Sequence, residues 1–150
     1  VIAWARMVAA LGVTVAVDQV TKAIVVANVE RGEQINVFLG IDITNVRNTG
    51  IAFGAFAGAA TPIAIAGALA LCGLVAYFAL HTHEPLLWLP VGAVLGGAAA
   101  NLADRAREGA VIDFIDPVAW PAFNVADIAI VAGVLGLLYL SERPRRRRHD

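Results

Sequence analysis

Four stretches of this chain, 2–27, 63–80, 86–102 and 123–140, are dominated by apolar residues, and each is near or above the roughly 17 to 25 residues that a helix needs to cross a bilayer. The composition agrees with them. Of the 150 residues 59% are hydrophobic and only 15% charged, against about 45 to 50% apolar in an ordinary soluble domain. The sequence therefore predicts an all-α integral membrane protein, a single domain over 1–150 with four transmembrane helices. The connection 28–62 and the loop 103–120 are expected on one side. The alternating IDIT points to a small extracytoplasmic β element, with Asn45, Asn48, Thr49 and Gly50 as turn-formers. The apolar run IAFGAFAGAA after it is expected as a surface helix or lid on the outer leaflet.

Four spans leave both termini on one side, and five arginines crowd into the last eight positions, RPRRRRHD. On a membrane protein such a run reads as a cytoplasmic anchor on anionic lipid, with nucleic acid the lesser reading. The basic tail 141–150 and the N-terminus are thus placed in the cytoplasm. The first residue is Val1, so an upstream piece of the natural chain is expected, and 2–27 reads as a retained span rather than a cleavable signal. Thr61 with Pro62, and Pro85, look like helix starts. Small residues in AIAGALA and VLGGAAANLA permit close helix packing in lipid. Cys72, the one cysteine, reads as a small buried hydrophobe. His81, His83 and Glu84 read as an exposed loop rather than a metal site.

The polar residues that a solvated surface does not explain gather between Gly96 and Asp127. Asn101, Asp104 and Arg105 stand at i, i+3, i+4, Asn124 and Asp127 at i, i+3, and Asp113 lies between them in VIDFID. With the third span running outward and the fourth inward, all of these fall at the outer end. Asp18 reaches the same depth, about 18 Å along the first span from Arg6, with Lys22 one turn further. An ionised residue at mid-membrane costs roughly 2.5 to 3.5 kcal/mol on insertion scales, so these groups are expected to face the interior, paired or wet. Asp18 and Lys22 read as an i, i+4 ion pair. Asp104 and Arg105 read either as a solvated helix end or, for Arg105, as a fork that holds a carbonyl or carboxylate. Asp116 before Pro117 reads as a turn residue. Asp127 interrupts an apolar helix with no basic residue within a turn. Two carboxylates, Asp113 and Asp127, at one end of adjacent spans suit acid/base chemistry on a carbonyl. A small proton- or cation-coupled carrier also buries acids, although it commonly carries an inverted repeat, and none is visible here.

DQVTK at 18–22, NTGIAFG at 48–54, GGAAANLADR at 96–105, VIDF at 111–114 and FNVAD at 123–127 resemble, in order and spacing, the five sequence blocks of lipoprotein signal peptidase, the signal peptidase II family of membrane aspartic proteases. The resemblance implies a multi-pass enzyme of the cytoplasmic membrane, active near its extracytoplasmic face. It would remove the signal peptide of prolipoproteins just before a diacylglyceryl-modified cysteine, using a water activated between two aspartates. It further implies Asp113 and Asp127 as the catalytic pair. Asn48, Gly50, Ala52, Asn101, Arg105 and Asn124 would shape the polar shell, and Asp18, Lys22 and Asp104 its support. No cofactor, metal or nucleic acid is implied; the partners would be the lipid-modified prolipoprotein, membrane lipid and globomycin-type inhibitors. Two positions depart from many members of the family: Ala100 stands where glycine precedes the asparagine, and Ile128 where serine follows the aspartate.

Overall fold

The structure, a computed structural model, describes residues 1–50 and 60–142, with side chains from residue 64 onward in the second range. Among the described residues the order is α1 (Ile2–Asn28), β1 (Gln34–Phe38), β2 (Ile41–Asn48), α2 (Ala60–Leu80), α3 (Trp88–Glu108), β3 (Val111–Pro117) and α4 (Val125–Glu142). Ala52, the proposed lid, the side chains of Thr61 and Pro62, and 143–150 of the basic tail lie outside the described residues.

Of these helices, α1 and α4 are by themselves long and apolar enough to cross a membrane. α3 differs because its last two turns carry Asp104, Arg105, Arg107 and Glu108. It continues to Glu108, so 103–108 is helix rather than loop. It also begins later than the sequence suggests. Pro85 lies in a turn, and Leu86 takes a left-handed φ of 69° that no helix can run through, so α3 starts at Trp88.

α1, α3 and α4 form the packed heart of the bundle, and glycine is what allows it. A Cβ on Gly92 would stand 2.7 Å from the Met7 carbonyl oxygen of α1, and one on Gly97 2.5 Å from the Ala126 carbonyl oxygen of α4. Backbones this close gain dispersion contacts that a larger side chain would forbid. Among the described residues α2 joins at the end opposite the sheet, where Phe78 packs with Met7, Leu87 and Val91. Cys72 is consequently exposed on the outside of α2, not buried as the sequence reading has it.

The strands form one antiparallel sheet in the order β1-β2-β3. β2 runs through Asn45 to Asn48, which replaces the turn expected there with strand, and irregular pairing between Ile43 and Val46 absorbs the bend. Asp116 is likewise in strand β3, where it accepts a 3.0 Å hydrogen bond from Gln34. A bridge from Ile115 to Phe123 ties β3 to the chain just before α4. The sheet thereby sits against the C-terminal end of α1 and the N-terminal end of α4.

Candidate active site

Asn48, Asn124 and Asp127 are each held by a local reason that the sequence supplies. Asn124 and Asp127 are the cap of α4. The Asn124 Oδ1 accepts the Asp127 backbone N–H at 3.0 Å, and Asp127 Oδ2 accepts the Asn124 backbone N–H at 3.2 Å. That reciprocal exchange is a capping box, with aspartate in the place of the usual glutamate. Gly50 adopts φ 80° and donates its N–H to Asn48 Oδ1 at 2.9 Å. The turn that only glycine takes easily thus fixes the Asn48 amide.

With their oxygens committed, the amides can present only nitrogen to the acids. Asn48 Nδ2 donates to Asp113 Oδ2 at 2.9 Å and Asn124 Nδ2 to Asp113 Oδ1 at 2.8 Å. Asn101 Nδ2 donates to Asp127 Oδ1 at 2.8 Å, while its own oxygen accepts from Lys22 Nζ at 3.2 Å and from Asn124 Nδ2 at 3.1 Å. An ammonium has no acceptor, so Lys22 dictates which way the Asn101 amide faces. One asparagine, Asn124, therefore bonds both carboxylates, and a second, Asn101, closes the ring.

Beneath this ring lies an ion triad. Lys22 Nζ sits 2.7 Å from Asp18 Oδ2 and 2.6 Å from Asp104 Oδ2, all three side chains being almost wholly buried. The two acids do more than neutralise the lysine. Asp18 Oδ1 accepts the Ala126 backbone N–H at 2.8 Å, and Asp104 Oδ2 accepts the Ile112 backbone N–H at 3.3 Å. Each thereby grips the residue immediately before one member of the Asp113/Asp127 pair. Asp18 also places negative charge at the N-terminus of α4, where the helix dipole favours it. The alternative of Asp104 as a solvated helix end does not survive this burial, because the strand β3 covers it.

Two residues of the site were not singled out from the sequence. Gln19 donates from Nε2 to Asp104 Oδ1 at 2.9 Å and to Asp18 Oδ2 at 3.3 Å, and its oxygen receives Arg107. Its place inside DQVTK was the available signal. Arg47 pairs with Glu108 at 2.7 Å, linking β2 to the end of α3. Arg105 is exposed and bonds the Asn101 carbonyl of its own helix at 3.4 Å. Ile128 is 48% exposed, and the Asp127 carboxylate beside it takes its bonds from Asn101 and the Asn124 backbone instead of a neighbouring hydroxyl. His81 stacks on Tyr77 with ring centroids 4.2 Å apart, remote in the fold from these acids.

The acids are not equivalent. Asp113 is 2% exposed, whereas Asp127 is partly open. Burial pushes the Asp113 carboxyl above the usual carboxylate range, helped by the negative Asp127 and opposed by the amides of Asn48 and Asn124 and by the charge of Lys22.

Residues 10–142 match the family model described as signal peptidase (SPase) II. The chain belongs to the signal peptidase II family. As a family member it is a protease, which sets aside the carrier considered from the sequence. Among its relatives is the lipoprotein signal peptidase of Pelotomaculum thermopropionicum, 41% identical over 136 residues and covering 86% of each chain. That of Moorella thermoacetica is 40% identical over 126 residues, covering 83% of this chain and 84% of the relative. A bacterial membrane enzyme solved by the in meso method superposes with a TM-score of 0.80 at 29% identity, over 91% of this chain and 92% of the other. The family and the apolar helices α1 and α4 together support a membrane location for the protease.

Proposed function

We propose that this protease removes the signal peptide of lipoprotein precursors by aspartic catalysis, with Asp113 and Asp127 as the reacting pair. The observation that carries the reading is Asn124, whose side-chain amide donates to the Asp113 carboxylate and whose backbone N–H donates to the Asp127 carboxylate. Burial raises the Asp113 carboxyl, helped by the negative charge of Asp127, so the proton of the pair is placed on Asp113. Asp113, the more buried, keeps the proton and donates it to the scissile carbonyl. Asp127, the more open, takes a proton from the attacking water.

The resulting tetrahedral oxyanion needs donors. The second amide hydrogen of Asn48 and the remaining N–H groups of the Arg105 fork are available by count. Gly50 shapes the chain just past the end of β2 beside them. Asn101 and Asn124 hold the acids in register, and Asp18, Lys22 and Asp104 support the backbone that carries them. The reaction uses water alone and requires no cofactor.

The substrate is the lipid-modified prolipoprotein, cut before its diacylglyceryl cysteine, and a globomycin-type cyclic peptide would compete for the same groove. α2 and α3 complete four spans with α1 and α4. The turn at His81–Leu87 and both termini are then cytoplasmic, and the sheet and the acid pair lie at the extracytoplasmic face of the cell membrane. The signal helix and lipid reach the pair sideways from the bilayer.

The test is cleavage of a lipidated prolipoprotein peptide in detergent or liposomes. Asp113→Asn and Asp127→Asn are each expected to lower kcat by about 10²–10⁴-fold while the protein still inserts and unfolds cooperatively. Full cleavage by either variant would refute the pair.

A further inference from the structure

β2 is irregular close to the acid pair. Its pairing with β3 is interrupted between Ile43 and Val46, and past that point only Val46, Arg47 and Asn48 are paired, with Asp113, Ile112 and Val111. At the interruption Thr44 and Asn45 are both buried polar residues. Irregularities of this kind re-aim side chains beside active sites. Asn48, whose amide donates to Asp113, thus closes a run of three pairs and is itself exposed. Three pairs at a strand end are a weak hold, because termini fray first.

A second hold comes from side chains. Asn45 Nδ2 donates to the Val29 carbonyl just past α1 at 2.8 Å, and its oxygen accepts from Arg47 Nη1 at 2.6 Å. Arg47 Nε stands 2.7 Å from Glu108 Oε2, the Arg47 side chain being 15% exposed and that of Glu108 37%. Nε makes no directed hydrogen bond among the described residues, so the contact is one of opposite charge. Glu108 is the last residue of α3, where the helix dipole disfavours an acid and favours a cation. Arg47 answers both. From Glu108 the chain turns at Gly109, with φ 71°, and enters β3 at Val111, the partner of Asn48. Ion pair, turn and strand pairing therefore close a small ring, with Asn48 next to Arg47 on one side and Asp113 two residues past Val111 on the other.

We propose that Arg47 and Glu108 are positioning residues: their ion pair ties the end of β2 to the end of α3 and so keeps the Asn48 amide on the Asp113 carboxylate. The inference rests on the role of Asp113 proposed above. An ion pair with a partly solvated carboxylate adds little to stability, so what the tie contributes is the place of a strand end. Donation from Asn48 favours the charged form of Asp113, and without the tie that form loses a donor. The other groups that bear on Asp113 are Asn124, Asp127 and Lys22, and Glu108 lines a cavity with Lys22, Asp104 and Arg107. Removing the Glu108 charge would by itself lower the Asp113 carboxyl, since a like charge nearby raises it. Loss of the tie acts with the opposite sign.

The test is the pH–rate profile for cleavage of the lipidated peptide by Glu108→Ala in the full chain. Its alkaline limb is expected to move to higher pH, the direction expected for Asn48→Ala, and the double variant to show no upward shift beyond that of Asn48→Ala alone. A limb that stays put or moves lower in folded Glu108→Ala would overturn the tie, and so would a further upward shift in the Asn48→Ala background. A second measurement does not need turnover. The side-chain amide of Asn48, read by nuclear magnetic resonance in asparagine-labelled protein and assigned by its loss in Asn48→Ala, is expected to shift in Glu108→Ala while that of Asn36 in β1 stays. An unmoved Asn48 signal would overturn the tie whether or not peptide is cut. A shifted signal in protein that never cuts the peptide would uphold the tie and sink the proposed reaction alone. Normal cleavage with both readouts unmoved would sink the tie alone.

Discussion

Asp113 and Asp127 differ in surroundings more than in sequence, and that difference sets a pH dependence. Asp113 has its carboxyl pKa raised by burial, so the proton that the proposed reaction takes from it is present at low pH and lost as pH rises through that raised value. Cleavage is expected to fall along an alkaline limb lying above the ordinary carboxylate range of about 4. Asn48 donates to the Asp113 carboxylate and so favours its charged form. Asn48→Ala should therefore move the limb to higher pH, and a limb that stays put or moves down in a pH–rate profile would assign the proton elsewhere. Lys22 offers a second test at this scale. Lys22→Met leaves Asp18 and Asp104 buried together without their cation, a loss of about 3–5 kcal/mol to be read by thermal unfolding in detergent. Lys22→Arg should not restore it, because a planar fork cannot replace a point charge that meets two carboxylates and an amide oxygen.

At the scale of elements, the site exists because three helices and one strand end at the same place. The α3–α4 contact is governed by Gly97, whose missing side chain lets the Ala126 backbone approach. Gly97→Ala is expected to cost about 1–3 kcal/mol through overpacking. It should also lower kcat more than it raises KM, since Asn101, one turn along α3, would move relative to Asp127. Unchanged kcat in a destabilised variant would separate the packing from the chemistry. Order along the chain was legible here in a way that contact was not. The spacing of Asn124 and Asp127 marks a helix start, and the structure adds that each holds the other's backbone. The end of α3 reads from sequence as a boundary near Leu102, because charge appears there. The helix continues to Glu108 because Lys22 and the β3 backbone satisfy Asp104, a partner set drawn from residues 8 to 82 positions away.

For the molecule as a whole, apolar helices surround a polar network at one end and a turn closes α2 and α3 at the other. Single cysteines in a Cys72→Ala background test the resulting orientation. A cysteine replacing exposed His83 should react with an impermeant maleimide from the cytoplasmic side only, and one replacing Asn36 from the opposite side only. Labelling of both from one side would contradict four spans. Native Cys72, exposed on α2, should resist the same reagent in a bilayer and react in the unfolded chain, because in the proposed four-span arrangement lipid rather than protein covers it.

From its sequence alone this chain is committed to a bilayer, to helices where the apolar runs stand, and to polar residues gathered in five ordered blocks, because length and hydrophobicity are local properties that need no partner. Which atom meets which was decided only by the tertiary structure. Lys22 bonds two carboxylates and an amide drawn from α1 and α3, Asn124 touches acids from β3 and α4, and Cys72 turns outward. Each of these depends on how closely backbones approach at glycine and on where orphaned N–H groups find an acceptor, and neither is written in the neighbouring residues.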